Sequence, residues 1–439
     1  MSRGKEIVTD AKQYGLQNFQ DAANYYAASN KTRFVYMNNV NVNGRWSIKT
    51  YYHDTDTWST SVEFDTTNHA GGDGHRYPIV YHDNLGHVHV FYGAHQQPLR
   101  HARSDSPDAT TSWTLATPIA TFVTYPQIVS TTEGTFYLIH RNASTDSWMR
   151  KSTNNMNTWT DGTVVTRSDS GNLLYDLSYP FGVTLGTNSG TQAIHIFGSF
   201  RMFSDANTKG RDPWYLKSLD GGTTWKTANG TTLSVPIGPS EIGSPYRGKA
   251  YEFSGCIDSR GNPHLFFNIE RPGTTSSHGD PYVLMHAYHN GTTWSTFRVS
   301  DSSQNTNWGY RCAYDGARIW LGWDATTSTY NITTGSTIGD LKQYLSSSAN
   351  NGSTFTTETL RSVSGPVYVP GYVYLKWIPE IRKLHIYWAG PPDDATSPRS
   401  IFWEAYDVDR PSASKYESKA LLKAFYRRGR RPYRGQYPW

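Results

Sequence analysis

Six stretches of the chain share one pattern of apolar and polar positions: a strand, a short polar turn, then a strongly apolar strand. They read YPIVYHDNLGHVHVFYGAH, YPQIVSTTEGTFYLIHR, YPFGVTLGTNSGTQAIHIFGSFR, EFSGCIDSRGNPHLFFNIER, WGYRCAYDGARIWLGWD and VYLKWIPEIRKLHIYWAG. β-Branched and aromatic residues bounded by turn formers predict antiparallel hairpins. A second unit recurs out of phase with the first. It is a polar turn ending in Thr/Ser-Trp, with its aromatic at Trp58, Trp113, Trp159, Trp225 and Trp294, and at Phe355 in a phenylalanine version. The steps between these aromatics, 46 to 69 residues, leave room for four strands each.

Together the two units spell one four-stranded propeller blade. A blade cannot bury its own faces, and stacking on its neighbours does so. The segment KTRFVYMNNVNVNGRWSIKTYY supplies the second and third strands of one more blade, with its other strands expected from either terminus. The predicted fold class is therefore all-β: a seven-bladed β-propeller of four-stranded antiparallel blades over residues 21–410. An N-terminal arm (1–20) precedes it, and a short basic C-terminal helix and tail (411–439) come after it. Two β-sandwiches are the rival architecture, but they do not demand this period. SLDGGTTW matches the Asp-box pattern S-x-D-x-G-x-T-W. Asp220 is expected to accept backbone N–H bonds, the glycines to permit positive φ, and Trp225 to pack between sheets. The motif marks fold and carries no function.

Composition fits this picture: 14% aromatic and only 18% charged residues describe a strand-and-turn protein with polar outer surfaces. No run of 18 apolar residues exists, so no membrane partner is expected. The N-terminal MSRGKEIVTDAKQYG has no apolar core, so no secretory signal is read. Cys256 and Cys312 occupy matching strand positions of neighbouring blades and are expected to be free buried thiols rather than a disulfide. The formal charge of +5 rests on the tail, where residues 410–439 hold nine Lys/Arg against Glu417.

Candidate chemistry sits where the second strand of each blade ends. The series is Ala94-His95, His140-Arg141, Phe200-Arg201, Glu270-Arg271, Trp323-Asp324 and Trp388-Ala389. Ionisable groups just past buried strands are costly without a purpose. Blade two is the densest, with His75, His82, His87, His89, His95 and His101. His82, His87 and His89 read as structural or exposed, and His101 is undecided. His75 precedes the first strand and His95 comes after the second, so a hairpin returns both to one end, where histidine suits proton transfer. Tyr125, Tyr179 and Trp308 each open a blade, either as sugar-stacking residues or as core aromatics.

The run YPIVYHDNLGHVHVFYGAHQQPLRH, with TYPQIVSTTEGTFYLIHR after it, resembles the BNR-repeat polysaccharide lyases, notably propeller-type ulvan lyases. The resemblance is sharpest over residues 70–160. It implies β-elimination beside a uronic acid: an arginine neutralises the carboxylate, a histidine or tyrosine removes the C5 proton, and an acid protonates the leaving oxygen. It places His75 and His95 at the two family histidines and His140 where a tyrosine is usual. Arg150 falls at the carboxylate-binding arginine, reached by a shorter loop. Arg141, Arg201, Arg271, Tyr125, Tyr179 and Trp308 are the expected substrate-binding residues. No cofactor and no active-site metal are expected. A structural calcium or zinc is left open, with Asp83, His87 and His89 as the arguable ligands.

Two functional readings stand. One is a lyase acting on an acidic, uronate-containing polysaccharide, rhamnose-rich or sulfated. The other is a non-catalytic glycan-binding or structural virion protein, phage tail or capsid-associated, anchored to a protein partner through residues 412–439. A glycoside hydrolase on the same scaffold is a third. Nucleic acid is not the expected partner, and the expected location is extracellular or in a virion.

Overall fold

Alternating apolar strands and polar turns fold into seven antiparallel blades in the computed structural model. It describes residues 5–11, 21–38, 45–65, 76–142, 146–168, 177–188, 191–201, 210–270, 282–300, 305–306, 310–326, 341–363, 373–389 and 399–408. His75, Arg271, Trp308 and the basic tail lie outside the described residues. Met1–Tyr406 form one compact unit and Asp407–Trp439 a second.

Blade one comprises Ala23–Tyr26, Lys31–Asn38, Arg45–Tyr52 and the outer pieces Thr57–Trp58 and Val62–Asp65. Blade two comprises Ile79–His82, Val88–Tyr92, Arg100–Ser104 and Trp113–Ala116. Blade three comprises Val123–Ser130, Phe136–Asn142, Ser147–Ser152 and Thr163–Thr166. Blade four comprises Leu177–Asn188, Thr191–Arg201, Gly210–Ser218 and Trp225–Lys226. Blade five comprises Ala250–Ile257, Pro263–Glu270, Tyr282–His289 and Trp294–Arg298. Blade six comprises Arg311–Tyr314, Ile319–Thr326, Leu341–Ser348 and Thr356–Val363. Blade seven has Val373–Ile378, Lys383–Ala389 and Arg399–Asp407, and takes its outermost strand from Lys5–Ala11.

The ring therefore closes at blade seven, not at blade one. Blade one draws its strands from residues 23–65, while Lys5 pairs with Trp403 and Ala11 with both Arg399 and Asn38. Blades seven and one thus run together as a nine-stranded sheet.

The core lies between blades, as period-two strands with both faces covered require. Phe91, Ile128, Phe136 and Leu138 fill the space between blades two and three. Tyr137, Ile139, Ile196, Trp214 and Trp225 fill the next. Three turns between third and fourth strands superimpose chemically. Ser218, Ser152 and Ser348 each accept a backbone N–H four residues on, from Gly222, Met156 and Gly352. Asp220, Asn154 and Asn350 each accept one from the Thr four positions on. The fully buried Trp225 behaves as the Asp-box predicts.

A second device also repeats between blades. Asp83 Oδ1 accepts the N–H groups of Leu85 and His87, and its Oδ2 takes His89 Nε2 at 3.2 Å. His89 Nδ1 in turn meets His101 Nε2 at 2.7 Å. Blade five has the same arrangement: Asp258 caps its turn, His264 Nε2 lies 3.8 Å from Asp258, and His264 Nδ1 is 3.0 Å from His286 Nε2. In blade six Trp320 Nε1 donates to Asp315. His82, His87, His89 and His101 are thus buried structural groups. His87 Nδ1 faces the Ser104 carbonyl, so Asp83, His87 and His89 do not converge on one point. The two cysteines are free and buried on the innermost strands of blades five and six.

Gly198 in blade four has no room for a side chain: a Cβ there would stand 2.2 Å from the Tyr179 carbonyl oxygen and 2.3 Å from Trp214. Gly198→Ala is expected to cost about 1–3 kcal/mol through overpacking, read as a lowered urea midpoint with unchanged slope. An unshifted midpoint would mean that the strand yields freely.

Candidate active site

The apolar second strand of blade two ends at Tyr92, and Gly93 turns it with φ 80. His95 does not close that strand, as its sequence suggested. It opens a short strand, His95–Gln97, that crosses to the innermost strand of blade three. There His95 pairs with Thr124, and Thr124 pairs on its other side with Arg141. His95, Thr124 and Arg141 thus form one row across three strands, their backbones two strand spacings, about 10 Å, apart at the ends.

The backbone around this row is strained. Gln96 and Tyr125 hold φ of 53 and 55, a region non-glycine residues seldom occupy. The Gln96 N–H donates to Thr124 Oγ1 at 3.1 Å. The ladder between the first two strands of blade three slips between Thr124 and Gln127. Such bulges and strained residues re-aim side chains and concentrate at functional sites.

Tyr125 is aimed at Arg141. The guanidinium sits 5.4 Å from the Tyr125 ring centre and 4.7 Å from that of Tyr179, which opens blade four. The two rings lie 5.9 Å apart at 45°. Gln127 Nε2 donates to the Pro180 carbonyl, and the Ser147 and Ser178 hydroxyls meet at 3.0 Å, which fixes blade four against blade three here. Arg141 is only 4% exposed. Among the described residues no carboxylate pairs with it, and its Nε is buried without a hydrogen-bond partner.

His140 and Arg150 point the other way, as alternation along a strand requires. His140 is 1% exposed and enclosed on the side of blade two. Arg150 Nε donates to His140 Nε2 at 3.4 Å, and Arg150 Nη1 donates to the Thr160 carbonyl at 3.2 Å. Burial keeps the His140 imidazole neutral, pushing its pKa down to about 4.

Arg201 ends the second strand of blade four, half-buried, opposite Leu177 and Gly210. Beyond it Arg211, Arg247 and Lys249 gather at the same end of blades four and five. Arg247 faces Asp212 at 3.4 Å and Lys249 faces Glu270 at 3.6 Å. Arg201, Arg211, Arg247 and Lys249 thus concentrate cations at this rim, with Asp212 and Glu270 among them. Of the expected site residues, the structure brings His95, Arg141, Tyr125 and Tyr179 together. It sets His140 and Arg150 behind them, and Arg201 one blade on. Thr124, the hinge of the row, carries no sequence signal of its own.

Residues 23–312 match the family described as "BNR repeat-containing family member". The chain belongs to this family. It is 24% identical over 270 residues to an ulvan lyase of Alteromonas sp. (strain LOR), covering 50% of this chain and 53% of the relative. It is also 24% identical over 258 residues to an ulvan lyase of Pseudoalteromonas sp. (strain PLSV), with the same coverage. The chain thus spans about half the length of the curated relatives it matches. Among solved structures, the PL25 ulvan lyase bound to -[GlcA(1-4)Rha3S]- superimposes with a TM-score of 0.72 at 17% identity, over 92% of this chain and 95% of that one. The polysaccharide lyase Uly1 gives 0.62 at 15% identity, over 89% and 90%. At these identities the likeness shows this family's propeller fold.

Proposed function

We propose that this BNR-repeat propeller is a polysaccharide lyase that cleaves a uronic-acid-containing glycan by β-elimination. The observation that carries the reading is the row His95–Thr124–Arg141, in which a histidine and a guanidinium with no carboxylate partner among the described residues share one row, their backbones about 10 Å apart. A proton on C5, beside a carboxylate, is too weakly acidic to leave unaided. Pairing the carboxylate with a guanidinium spreads the charge that develops as the proton leaves. A base takes the C5 proton, the C–H electrons form the C4–C5 double bond, the C4–O bond breaks, and an acid protonates the departing oxygen. His95 and His75 serve this proton transfer. Tyr125 and Tyr179 offer faces to sugar rings, and the rim around Arg201 attracts an acidic chain. Arg271 and Trp308, outside the described residues, are proposed as further substrate-binding residues. The ulvan lyases that the chain resembles support the substrate class, and a glycan of this kind is met outside the cell.

The test is near-ultraviolet absorbance of the unsaturated product when the full chain is incubated with a panel of uronate polysaccharides, glucuronate–rhamnose polymers included. Product is expected, and His95→Ala is expected to lower kcat by about 10²–10⁴-fold. Failure to release unsaturated product from any member of the panel would overturn the reading.

A further inference from the structure

Resting on the lyase reading, we infer that Arg141, and not Arg150, is the residue that pairs with the substrate carboxylate, with Arg150 and His140 holding it in place from behind. Three observations carry this.

The first is charge. Arg141 is buried, has no carboxylate partner among the described residues, and lies against two tyrosine faces. A buried guanidinium without a counter-ion is costly, and π faces compensate only part of that cost. An arriving carboxylate restores the balance through the planar fork of N–H donors that the tyrosines leave at the guanidinium edge.

The second is position. Arg141 stands opposite Ser147 at the end of its ladder, whereas Arg150 stands opposite Leu138, three residues further in. At the rise of a strand that is roughly 10 Å from the row of His95 and Thr124. An odd step along the strand also turns Arg150 to the opposite face of the blade.

The third is occupancy. Arg150 already donates from Nε to His140 and from Nη1 to Thr160. Because His140 Nε2 accepts, its proton sits on Nδ1, which donates to the Arg141 carbonyl at 3.2 Å. The chain Arg150, His140, Arg141 carbonyl therefore fixes the backbone from which the Arg141 side chain departs. His140 and Arg150 are positioning residues that do not reach the substrate.

The experiment compares a glucuronate-containing glycan with its carboxyl methyl ester. The ester carries no charge to neutralise. Arg141→Ala is expected to lower kcat on the free acid by about 10²–10³-fold, the usual loss for one charge-stabilising donor, and to have a much smaller effect on the ester. Arg141→Lys should recover only part, since a point charge replaces a fork. Arg150→Ala should slow both substrates by the same factor, because it disturbs positioning and not charge. The inference is overturned if Arg141→Ala cleaves the free acid at the wild-type rate, or if the acid-selective loss belongs to Arg150→Ala. Calorimetric binding of a glucuronate oligosaccharide separates this inference from the lyase reading. Acid bound more tightly than ester by wild type but equally by Arg141→Ala supports it, even where no product forms. Equal acid preference in wild type and Arg141→Ala overturns it, even where product does form.

Discussion

Asp21→Asn is expected to cost about 3–5 kcal/mol of stability, the usual result of removing one member of a buried charge cluster. Asp21 lies just before the innermost strand of blade one and is 7% exposed. Its Oδ1 takes Arg311 Nη2 of blade six at 3.0 Å and Lys376 Nζ of blade seven at 3.3 Å. The Tyr374 hydroxyl donates to the same oxygen. Its carbonyl accepts the Val80 N–H of blade two at 3.0 Å. One residue thus ties four consecutive blades together. Burial pushes its carboxyl pKa up, but the charges of Lys376 and Arg311 and the hydrogen bonds from Lys376 and Tyr374 outweigh this and hold it below the ordinary value. Asparagine removes the charge that Arg311 and Lys376 share. A urea midpoint within error of wild type would refute this. Lys376→Met on top of Asp21→Asn should restore part of the loss, because it removes one of the stranded charges.

Acid should unfold the protein well before its carboxylates titrate. His82, His101 and His195 are buried neutral, their pKa values pushed down to about 3, and His140 to about 4, in each case chiefly by burial. In the unfolded chain each titrates near its ordinary value of about 6.5. Below that pH the unfolded state binds protons that the folded state refuses, so stability falls as pH falls. The contribution is fully present above about pH 6.5 and lost progressively toward the folded values. Each histidine adds up to about 1.4 kcal/mol per pH unit, so the four approach about 5 kcal/mol per unit between pH 6 and 4. Asp21, held low, adds to the loss only nearer its own ordinary range. Urea midpoints at pH 7.5, 6 and 5 measure the slope, and His101→Gln should flatten it. A flat profile across that range would show that these imidazoles accept protons without cost.

The blades were legible in the sequence because their signals are local. Alternating apolar strands and the Ser-x-Asp turn announced them, and the ends of the second strands of blades two and three pointed to His95 and Arg141. Pairing between blades has no local signature. Nothing in GAHQQ says that His95 crosses to Thr124, although the positive φ at Gly93 allows the chain to leave its blade. The face that Arg150 takes was readable in principle, since an odd offset from Ser147 sends it to the other side. The Asp–His pairs also left a trace: D-x-x-G-x-x-H stands at 83–89, and Asp258 and His264 keep the same six-residue spacing in blade five. Asp21 had no such trace, because its partners lie some 290 and 355 residues away.

The pairing of Lys5–Ala11 with Arg399–Asp407 sets the order of events in time. At a synthesis rate of about 5–20 residues per second, the first strand waits roughly 20–80 s on the ribosome before its partner is made. Until then the early blades present an unpaired edge, and blade seven cannot form. The ring is therefore completed only once blade seven has been made, by a contact of great sequence separation, which is the kind of step that makes folding slow. A rearranged chain that starts at the loop before blade one and carries Lys5–Ala11 after Asp407 would turn this closure into a local hairpin and should refold faster at equal stability.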